Sequence, residues 1–595
     1  MSEDHAEALA KGFATHAATW AQRHGADAAT VEATRQAARA LSLAQSAGHV
    51  CLPLAELDAP DSATLRRQLQ ASGVVGAPDD ADARPMVLDA QDRLYLARYF
   101  DLELRLARRL RLAAAAPPAA VPEAARQQLD ALFGPGDGTA DWQKLAAALA
   151  LRRRLVVISG GPGTGKTTTV VNLLACVLAQ QPEARIALAA PTGKAAARMS
   201  EALRQRAVHL PEALRQRLPA EAATVHRLLG AGPAGFRHDA TNPLPIDLLV
   251  VDEASMLDLA LATRLLEAVP DSARLVLLGD KDQLAAVESG AVFAELSADP
   301  ALSTDTVDAL AGLCGLPPAA LQTAAPAGAP TAALPDSVVW LSRNFRFGGD
   351  SGIARAAACV RDGQAEALLA QLRTAGDGSV QWLDDGEAAP APATLQALQD
   401  GFAPYWQALQ QPTLDPAALH RAFERFRVLC AVREGPRGVQ ALNAWLSEQL
   451  RQALGEPGSG PWFTGRPVMV LRNDPLRRLF NGDIGIALPG PQGDWAVHFA
   501  EPGGGFRALP ALRLPAHETA FAMSVHKAQG SEFDALLVLL PAQRSRVLTR
   551  ELLYTALTRG RQRVLLAAAA PRLVEAVQSP TERHSGLTAR LRDPG

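Results

Sequence analysis

The chain has 595 residues, too many for one hydrophobic core, so about three or four domains are expected. Hydrophobic residues at 48% and charged residues at 20% exclude a disordered or fibrous chain and fit a folded soluble one. A net charge of −3 excludes a globally basic nucleic-acid binder, so any such site must be a local basic surface.

Residues 1 to about 120 are rich in Ala, Leu and Arg and carry helical periodicity. The run from Asp92 to Leu112 spaces its apolar side chains mostly three and four apart, which predicts one amphipathic helix with a solvated basic face. The first residues are acidic and lack an apolar signal core, and no apolar run reaches membrane-spanning length. Cys51, Cys176, Cys314, Cys359 and Cys430 lie far apart with no metal-ligand spacing. These features predict buried thiols in a reducing compartment and a cytoplasmic location. Ala113 to Pro122 reads as a linker. From Gln127 to about Leu296, strand-like apolar runs alternate with helical segments, the pattern of a parallel α/β sheet. Ser297 to Asp336 reads as an irregular insertion with some helix. A second α/β region is expected from Val338. Within it, Pro467 to Leu514 changes to short strands, VMVL, DIGIAL, WAVHFA and FRAL, between Gly, Pro and Asn turns, which suggests a small inserted barrel.

The most specific signal is LVVISGGPGTGKTTT, Leu155 to Thr169. An apolar strand feeds a turn fitting G-x-x-x-x-G-K-T, and a helix follows. That context makes Gly160, Gly161, Pro162, Gly163, Thr164, Gly165, Lys166, Thr167 and Thr168 a phosphate cradle. Its glycines let backbone N–H groups curl around an anion at a helix start. Lys166 can reach the β and γ phosphates and the Thr167 hydroxyl can ligate Mg²⁺. Downstream, IDLLVVDEASMLD ends a strand in Asp252, placed to hold the Mg²⁺ shell, and Glu253, placed to orient or deprotonate water. RLVLLGDKDQL offers Gln283 as a group touching both water and γ-phosphate. Gln143, upstream of the first strand, can read an adenine edge. Arg346 in LSRNFRF and Arg559 in YTALTRGR are the candidates for neutralising the departing phosphate. The chain holds 53 arginines but only six lysines, and four of those six (Lys166, Lys194, Lys281 and Lys527) lie inside motifs.

The ordered set GGPGTGKTT, APTGKAAARM, TVHRLLG, LLVVDEASMLD, LLGDKDQL, SRNFRF, SVHKAQGSEFD and YTALTRGR resembles a superfamily 1 helicase, and its details resemble the RecD-like branch. The resemblance runs from about Asp92 to Arg563. It implies an α/β fold of two RecA-like P-loop motor domains with parallel sheets. A helical partner-docking domain would occupy 1–120, the first motor domain 121–337 and the second 338–595, with an SH3-like insertion at about 435–518. It implies ATP and Mg²⁺ as cofactors, with Thr167 and Asp252 on the metal and Glu532 on the nucleotide sugar. Thr192, Lys194, Thr224, His226 and His526 would line a single-strand track, although the two histidines read equally as satisfied core residues. Phe345, Phe347 and Phe533 are the aromatic candidates for stacking on bases. Both arginines would come from the second lobe and meet phosphate only when the cleft shuts.

The activity implied is that of an ATP-dependent 5′→3′ DNA helicase subunit of a RecBCD-type helicase-nuclease, acting on double-strand DNA ends beside RecB-like and RecC-like subunits in recombinational repair. The alternative is a standalone helicase of the same branch without those partners. A nuclease is disfavoured because none of the six lysines sits in an E-x-K-like carboxylate neighbourhood. A regulatory ATPase without motor function is disfavoured because every motif keeps its catalytic residues.

Overall fold

The computed structural model describes residues 3–592 apart from 58–60, 80–83, 136–137, 234, 325–331, 347–350, 375, 457, 459, 475, 491–492 and 502–503. At the N-terminus, α1 (Glu3–Arg23) packs on α2 (Ala28–Ser46). The contact face of α1 is a stripe of alanines, Ala10, Ala14, Ala17 and Ala21, whose small side chains admit close approach. Asp27 caps α2 by accepting from the Thr30 N–H at 2.7 Å.

The chain then departs from the expected purely helical domain. β1 (Cys51–Pro53), α3 (Ser62–Ala71), β2 (Val75–Gly76), β3 (Met86–Leu88) and β4 (Arg93–Leu96) form a four-stranded sheet in the order β1-β4-β3-β2, with α3 against it. The helix expected from Asp92 starts only at α4 (Ala97–Ala114). The Asp89 carboxylate accepts from the N–H groups of Gln91 and Arg93 and closes a tight turn, and the four residues after it pair with β3 and β1. Four residues are too few for their spacing to separate a strand from a helical turn.

In the first α/β unit, α5 (Glu123–Phe133) and α6 (Trp142–Arg152) precede β5 (Leu155–Gly160), α7 (Lys166–Gln180), β6 (Ile186–Ala190), α8 (Gly193–Ala207), β7 (Ala223–Thr224), β8 (Leu248–Val251), β9 (Arg274–Gly279) and β10 (Val338–Leu341). The strands make a fully parallel sheet, β10-β5-β9-β8-β6-β7. β5 and β8 are buried along their whole length, as strands covered on both faces must be. The boundary expected at 337/338 therefore falls too early, because β10 pairs with β5 and belongs to this sheet. The helix expected within 297–336 is present. The helices Thr304–Cys314 and Pro318–Ala324 put Val307, Leu310, Cys314 and Leu321 into the core that α6 and α7 also fill.

The second α/β unit comprises β11 (Val380–Asp384), β12 (Phe426–Cys430), an inserted antiparallel sheet, and then β18 (Ala522–Ser524), β19 (Phe533–Leu539) and β20 (Gly560–Ala568). Its parallel order is β11-β20-β19-β12-β18. The insert consists of β13 (Pro467–Val470), β14 (Ile484–Pro489), β15 (Trp495–Ala500), β16 (Phe506–Pro510) and β17 (His517–Thr519), ordered β16-β15-β14-β13-β17. It starts later than the expected 435, since the helix Val439–Leu454 buries Leu442, Leu446 and Leu450 in the core of the parallel sheet.

After the helix Ala570–Gln578 the chain runs back to the first α/β unit. Its last helix, Leu587–Arg592, buries Leu587 and Leu591 in the same core as α4 and β8. Cys51, Cys176, Cys314 and Cys430 are buried, whereas Cys359 is half-buried. No described helix is long and apolar enough to cross a membrane.

The second unit is pinned by a buried ion pair. Arg437 (3% exposed) donates from Nη1 to Asp385 Oδ1 at 2.7 Å and from Nε to the Leu540 carbonyl at 2.7 Å, with a longer bond from Nη2 to the Ala567 carbonyl. Arg437→Met keeps the volume but leaves the Asp385 carboxylate buried without its cation. It is expected to destabilise this unit by about 3–5 kcal/mol, read as a lower urea midpoint for its unfolding.

Candidate nucleotide site

The phosphate loop lies where the sequence placed it, between β5 and α7. Gly163 (φ 86°) and Gly165 (φ 79°) take left-handed backbone, which only glycine adopts freely. Both are also tightly overlaid. A Cβ on Gly163 would lie 2.5 Å from Arg346 Cβ, and one on Gly165 would strike the Gln143 amide. The Thr164 hydroxyl donates to the Gly161 carbonyl at 2.8 Å and closes the turn. Lys166 stretches across the loop and donates to the carbonyls of Gly160 and Gly161, the latter at 3.3 Å. Thr167 is half-buried in the first turn of α7. Thr168 turns elsewhere, its hydroxyl accepting from Arg206 on α8.

Gln143 stands beside the loop because Asp141 caps α6 and fixes the helix start. Its amide nitrogen donates to the Thr164 carbonyl at 2.8 Å.

At the carboxyl end of β8, Asp252 Oδ1 accepts from the Glu253 N–H at 2.8 Å. Glu253 itself sits in the left-handed region at φ 53°, an unfavourable backbone for a residue with a Cβ and one that concentrates at functional sites. Burial pushes the Asp252 carboxyl up to about 6; the Glu253 charge adds to this and the Lys166 ammonium opposes it.

A second string of contacts crosses between the two parallel sheets. Buried Gln283 donates from Nε2 to Asp280 Oδ2 at 2.8 Å, and its Oε1 accepts from Arg559 Nη2 at 2.7 Å. The Leu284 N–H donates to Thr555 Oγ1 at 2.9 Å, and the Leu284 carbonyl accepts from Gln529 Nε2 at 2.9 Å.

Arg346 arrives by another route than expected. It follows β10, an edge strand of the first sheet, so it lies on the connection between the units rather than inside the second. The Phe345 N–H donates to the Gly163 carbonyl at 2.8 Å, and Asn344 Nδ2 donates to the Pro162 carbonyl at 2.8 Å. Arg346 then pairs with Glu532 Oε1 at 2.5 Å, while Arg561 takes Glu532 Oε2 at 3.2 Å. Those cations hold the Glu532 carboxyl below its ordinary range against the opposing effect of burial.

Two family models match the chain, an AAA domain over residues 143–289 and a UvrD-like helicase C-terminal domain over residues 519–567. The RecBCD enzyme subunit RecD of Mycolicibacterium smegmatis is 38% identical over 580 residues, spanning 96% of this chain and 93% of that protein. The corresponding subunit of Mycobacterium tuberculosis is 39% identical over 93% of this chain and 88% of its own length. The chain belongs to the RecD family of superfamily 1 helicases. It is an ATP-dependent DNA helicase. The ATP-dependent RecD2 DNA helicase of Deinococcus radiodurans is 31% identical over 98% of this chain, which covers 72% of that protein. A solved Bacteroides Pif1 helicase in complex with ADP-AlF3 and single-stranded DNA aligns with 75% of the chain at 16% identity and a TM-score of 0.35.

The residues that family membership suggested for a strand track are placed unevenly. Thr192 and Thr224 are helix caps, accepting from the N–H groups of Ala195 and Arg227 at 3.2 Å each, which leaves each hydroxyl proton to donate. His226 is exposed near the ring of Phe236, so it is no core histidine. His526 is half-buried, and burial together with the nearby Arg583 charge draws its pKa down. Lys194 is half-buried beside the inserted sheet. Phe480 of the inserted sheet lies over its neighbour Gly193, and burial beside Arg198 and Arg427 pushes the Lys194 amine down to about 8. Phe533 is buried beneath Arg427 and does not lie free for a DNA base. Phe345 is exposed, with its N–H on the phosphate loop and Arg343 over its ring, and Phe347 lies outside the described residues.

Sequence reading passed over Arg198, Tyr554 and Arg561. Arg198 of α8 donates to the Gly530 carbonyl of the second unit. The Tyr554 hydroxyl would stand 2.8 Å from a Cβ on Gly161, and burial beside Asp280 and Asp282 drives its pKa far upward. One of only four tyrosines, inside a motif, was a readable signal; two more arginines among 53 were not.

Glu532→Ala removes the acceptor that Arg346 and Arg561 share. Loss of charge-assisted bonds of this kind is expected to raise the KM for ATP by about tenfold in steady-state assays.

Proposed function

We propose that this helicase is the 5′→3′ motor subunit of a RecBCD-type helicase-nuclease that works on double-strand DNA ends in recombinational repair, with RecB-like and RecC-like partners. The observation that supports the site reading is that Arg346, packed on Gly163 of the phosphate loop, pairs with Glu532 of the second unit, while Arg559 of the second unit pairs with Gln283 of the first. Two relatives named as RecBCD subunits are 38% and 39% identical to this chain, against 31% for the RecD2 helicase, which supports the subunit reading over the standalone one.

In this reading the two parallel-sheet units are RecA-like lobes and the antiparallel insert is the SH3-like barrel. The backbone N–H groups from Gly161 to Thr167 and the Lys166 ammonium bind the β and γ phosphates of ATP. Gln143 ties the loop to the adenine end, and Glu532 takes the ribose. The donor set fits Mg²⁺, because the Thr167 hydroxyl and the Asp252 carboxylate are hard oxygens. Such an ion takes one or two protein ligands and completes its shell with phosphate and water. The Lys166 charge opposes the upward push of burial on the Asp252 carboxyl. When bound, the ion neutralises charge developing on the phosphates. Glu253 accepts a proton from the attacking water, and Gln283 orients that water. Arg559 stabilises the departing phosphoryl group from the second lobe, and Arg346 does so from the connection. Binding thereby favours closure of the cleft, and hydrolysis releases it. Thr192, Thr224, His226 and His526 supply contacts to a single strand held without sequence preference. The cytoplasm is the proposed site of action.

Lys166→Gln is expected to lower DNA-stimulated ATP turnover and unwinding by at least about a hundredfold; a wild-type rate in the purified variant would refute the site assignment. Polarity and partnership are read together. The native assembly should show the mass of a heterotrimer, and the motor should open a 5′-tailed duplex while leaving a 3′-tailed one closed. A monomer active alone on the 5′ tail would favour the standalone alternative.

A further inference from the structure

Residues 284–291 follow Gln283 without regular secondary structure, so their backbone polar groups need partners from outside the segment. The front of this loop is held by the second motor domain. Leu284 is buried in that domain's core and bonded on both its N–H and its carbonyl. The middle is loose, with Val287 75% exposed. The rear is held by the Leu259 N–H, which donates to the Ser289 carbonyl at 3.2 Å, and by one side chain that no motif contains. Arg583 Nη1 donates to the carbonyls of Glu288 and Gly290, both at 2.8 Å.

Arg583 sits on the returning C-terminal strap, fixed on either side. Before it, Thr581 is bound by Glu551, the N–H at 2.8 Å and the hydroxyl at 2.5 Å. After it, the His584 carbonyl accepts from the Val50 N–H at 2.8 Å, and the His584 ring stacks on His49 with centroids 4.8 Å apart. The guanidinium rests on Gly48, where an added Cβ would lie 2.9 Å from Cζ, and the Gly48 carbonyl accepts from the Gly290 N–H at 3.0 Å. Glu551 lies on the helix Arg550–Leu557, which also carries Thr555 and runs into Arg559. Both ends of the loop after Gln283 are thus tied to one helix of the second motor domain, the front directly and the rear through Arg583.

We propose that Arg583 is a positioning residue for ATP turnover: it fixes the rear of the 284–291 loop so that Gln283 meets the phosphate end of the nucleotide whenever the second motor domain closes. The proposal rests on the assignment of Gln283 made above. Arg583 touches neither substrate nor reacting atoms in this scheme; it acts through the loop. An effect on the closed, reacting state with little effect on ground-state binding is the expected signature.

The test uses the full chain in its native assembly, with kcat and KM for DNA-stimulated ATP hydrolysis corrected for active fraction. Arg583→Ala should lower kcat about tenfold, the size expected for losing a charge-assisted hydrogen bond, and change the KM for ATP by less than about twofold. Arg583→Lys keeps the charge and donors with poorer geometry and should recover part of the rate. Glu582→Gln, at the exposed neighbouring position, should match wild type. A wild-type kcat in Arg583→Ala would overturn the proposal. So would a loss that vanishes after correction for active fraction, since the residue would then serve stability alone, or a loss that Arg583→Lys does not relieve at all. Gln283→Ala in the same assay separates the two levels. If it turns over at the wild-type rate, the Gln283 assignment itself is wrong; if it is slow while Arg583→Ala is normal, only the positioning role fails.

Discussion

The contact on which the rest depends is the hydrogen bond between Gln283 and Arg559. A guanidinium only 2% exposed is costly to bury unless its protons are accepted. Here the acceptors are Gln283 Oε1 from one sheet and the carbonyls of Thr555 and Ser531 from the other. Drawing the sheets apart would strip Arg559 of its one partner on the first, while Gln283 kept only Asp280. The interface therefore has a preferred seating rather than a continuum of positions. Tyr554 and Thr555, on the helix before Arg559, reinforce that seating with contacts to the phosphate loop and to Leu284.

Arg198 and Glu532 extend the same seam. Arg198 reaches from α8 to the Gly530 carbonyl, and Glu532 two residues on gathers Arg346 and Arg561. The start of α8 carries Thr192 and Lys194, so the helix that meets this seam also meets the inserted sheet through Phe480 and Gly193. About one and a half helical turns separate Gly193 from Arg198, so one helix joins the inserted sheet to this seam.

Much of this was legible beforehand, for physical reasons. The phosphate loop, the Asp252–Glu253 strand end and Gln283 lie at the ends of apolar strands, where buried runs give way to polar groups at fixed spacing. The four strands expected in the insert were found because Gly, Pro and Asn mark their turns, whereas β17, three residues long, offers no alternation to detect. The β4 strand was mistaken for helix because tight turn chemistry at Asp89 outweighed the spacing of Leu94, Tyr95 and Leu96. Arg346 was assigned to the wrong unit because sequence shows that Val338 to Leu341 is a strand but not which strand it pairs with. Arg583 was invisible: its partners are backbone carbonyls 293 and 295 residues away, and a donor to a carbonyl imposes no residue type on the other end.

The same long-range pairing decides what the N-terminal domain can do. α4 buries Leu102, Leu106 and Leu110 against β8, β9 and the C-terminal helix in one core. Within that core the Glu103 carboxylate is fully buried, and it accepts from Arg590 Nε at 2.7 Å and the Gly586 N–H at 2.9 Å. A carboxylate in that position is tolerable only while its cation stays, so separating the tail from α4 would leave an unpaired buried charge. The N-terminal domain is consequently no flexible appendage. α2 packs on β1 and β4, and α4 follows β4 directly, so the N-terminal domain is joined to the first sheet through packed elements.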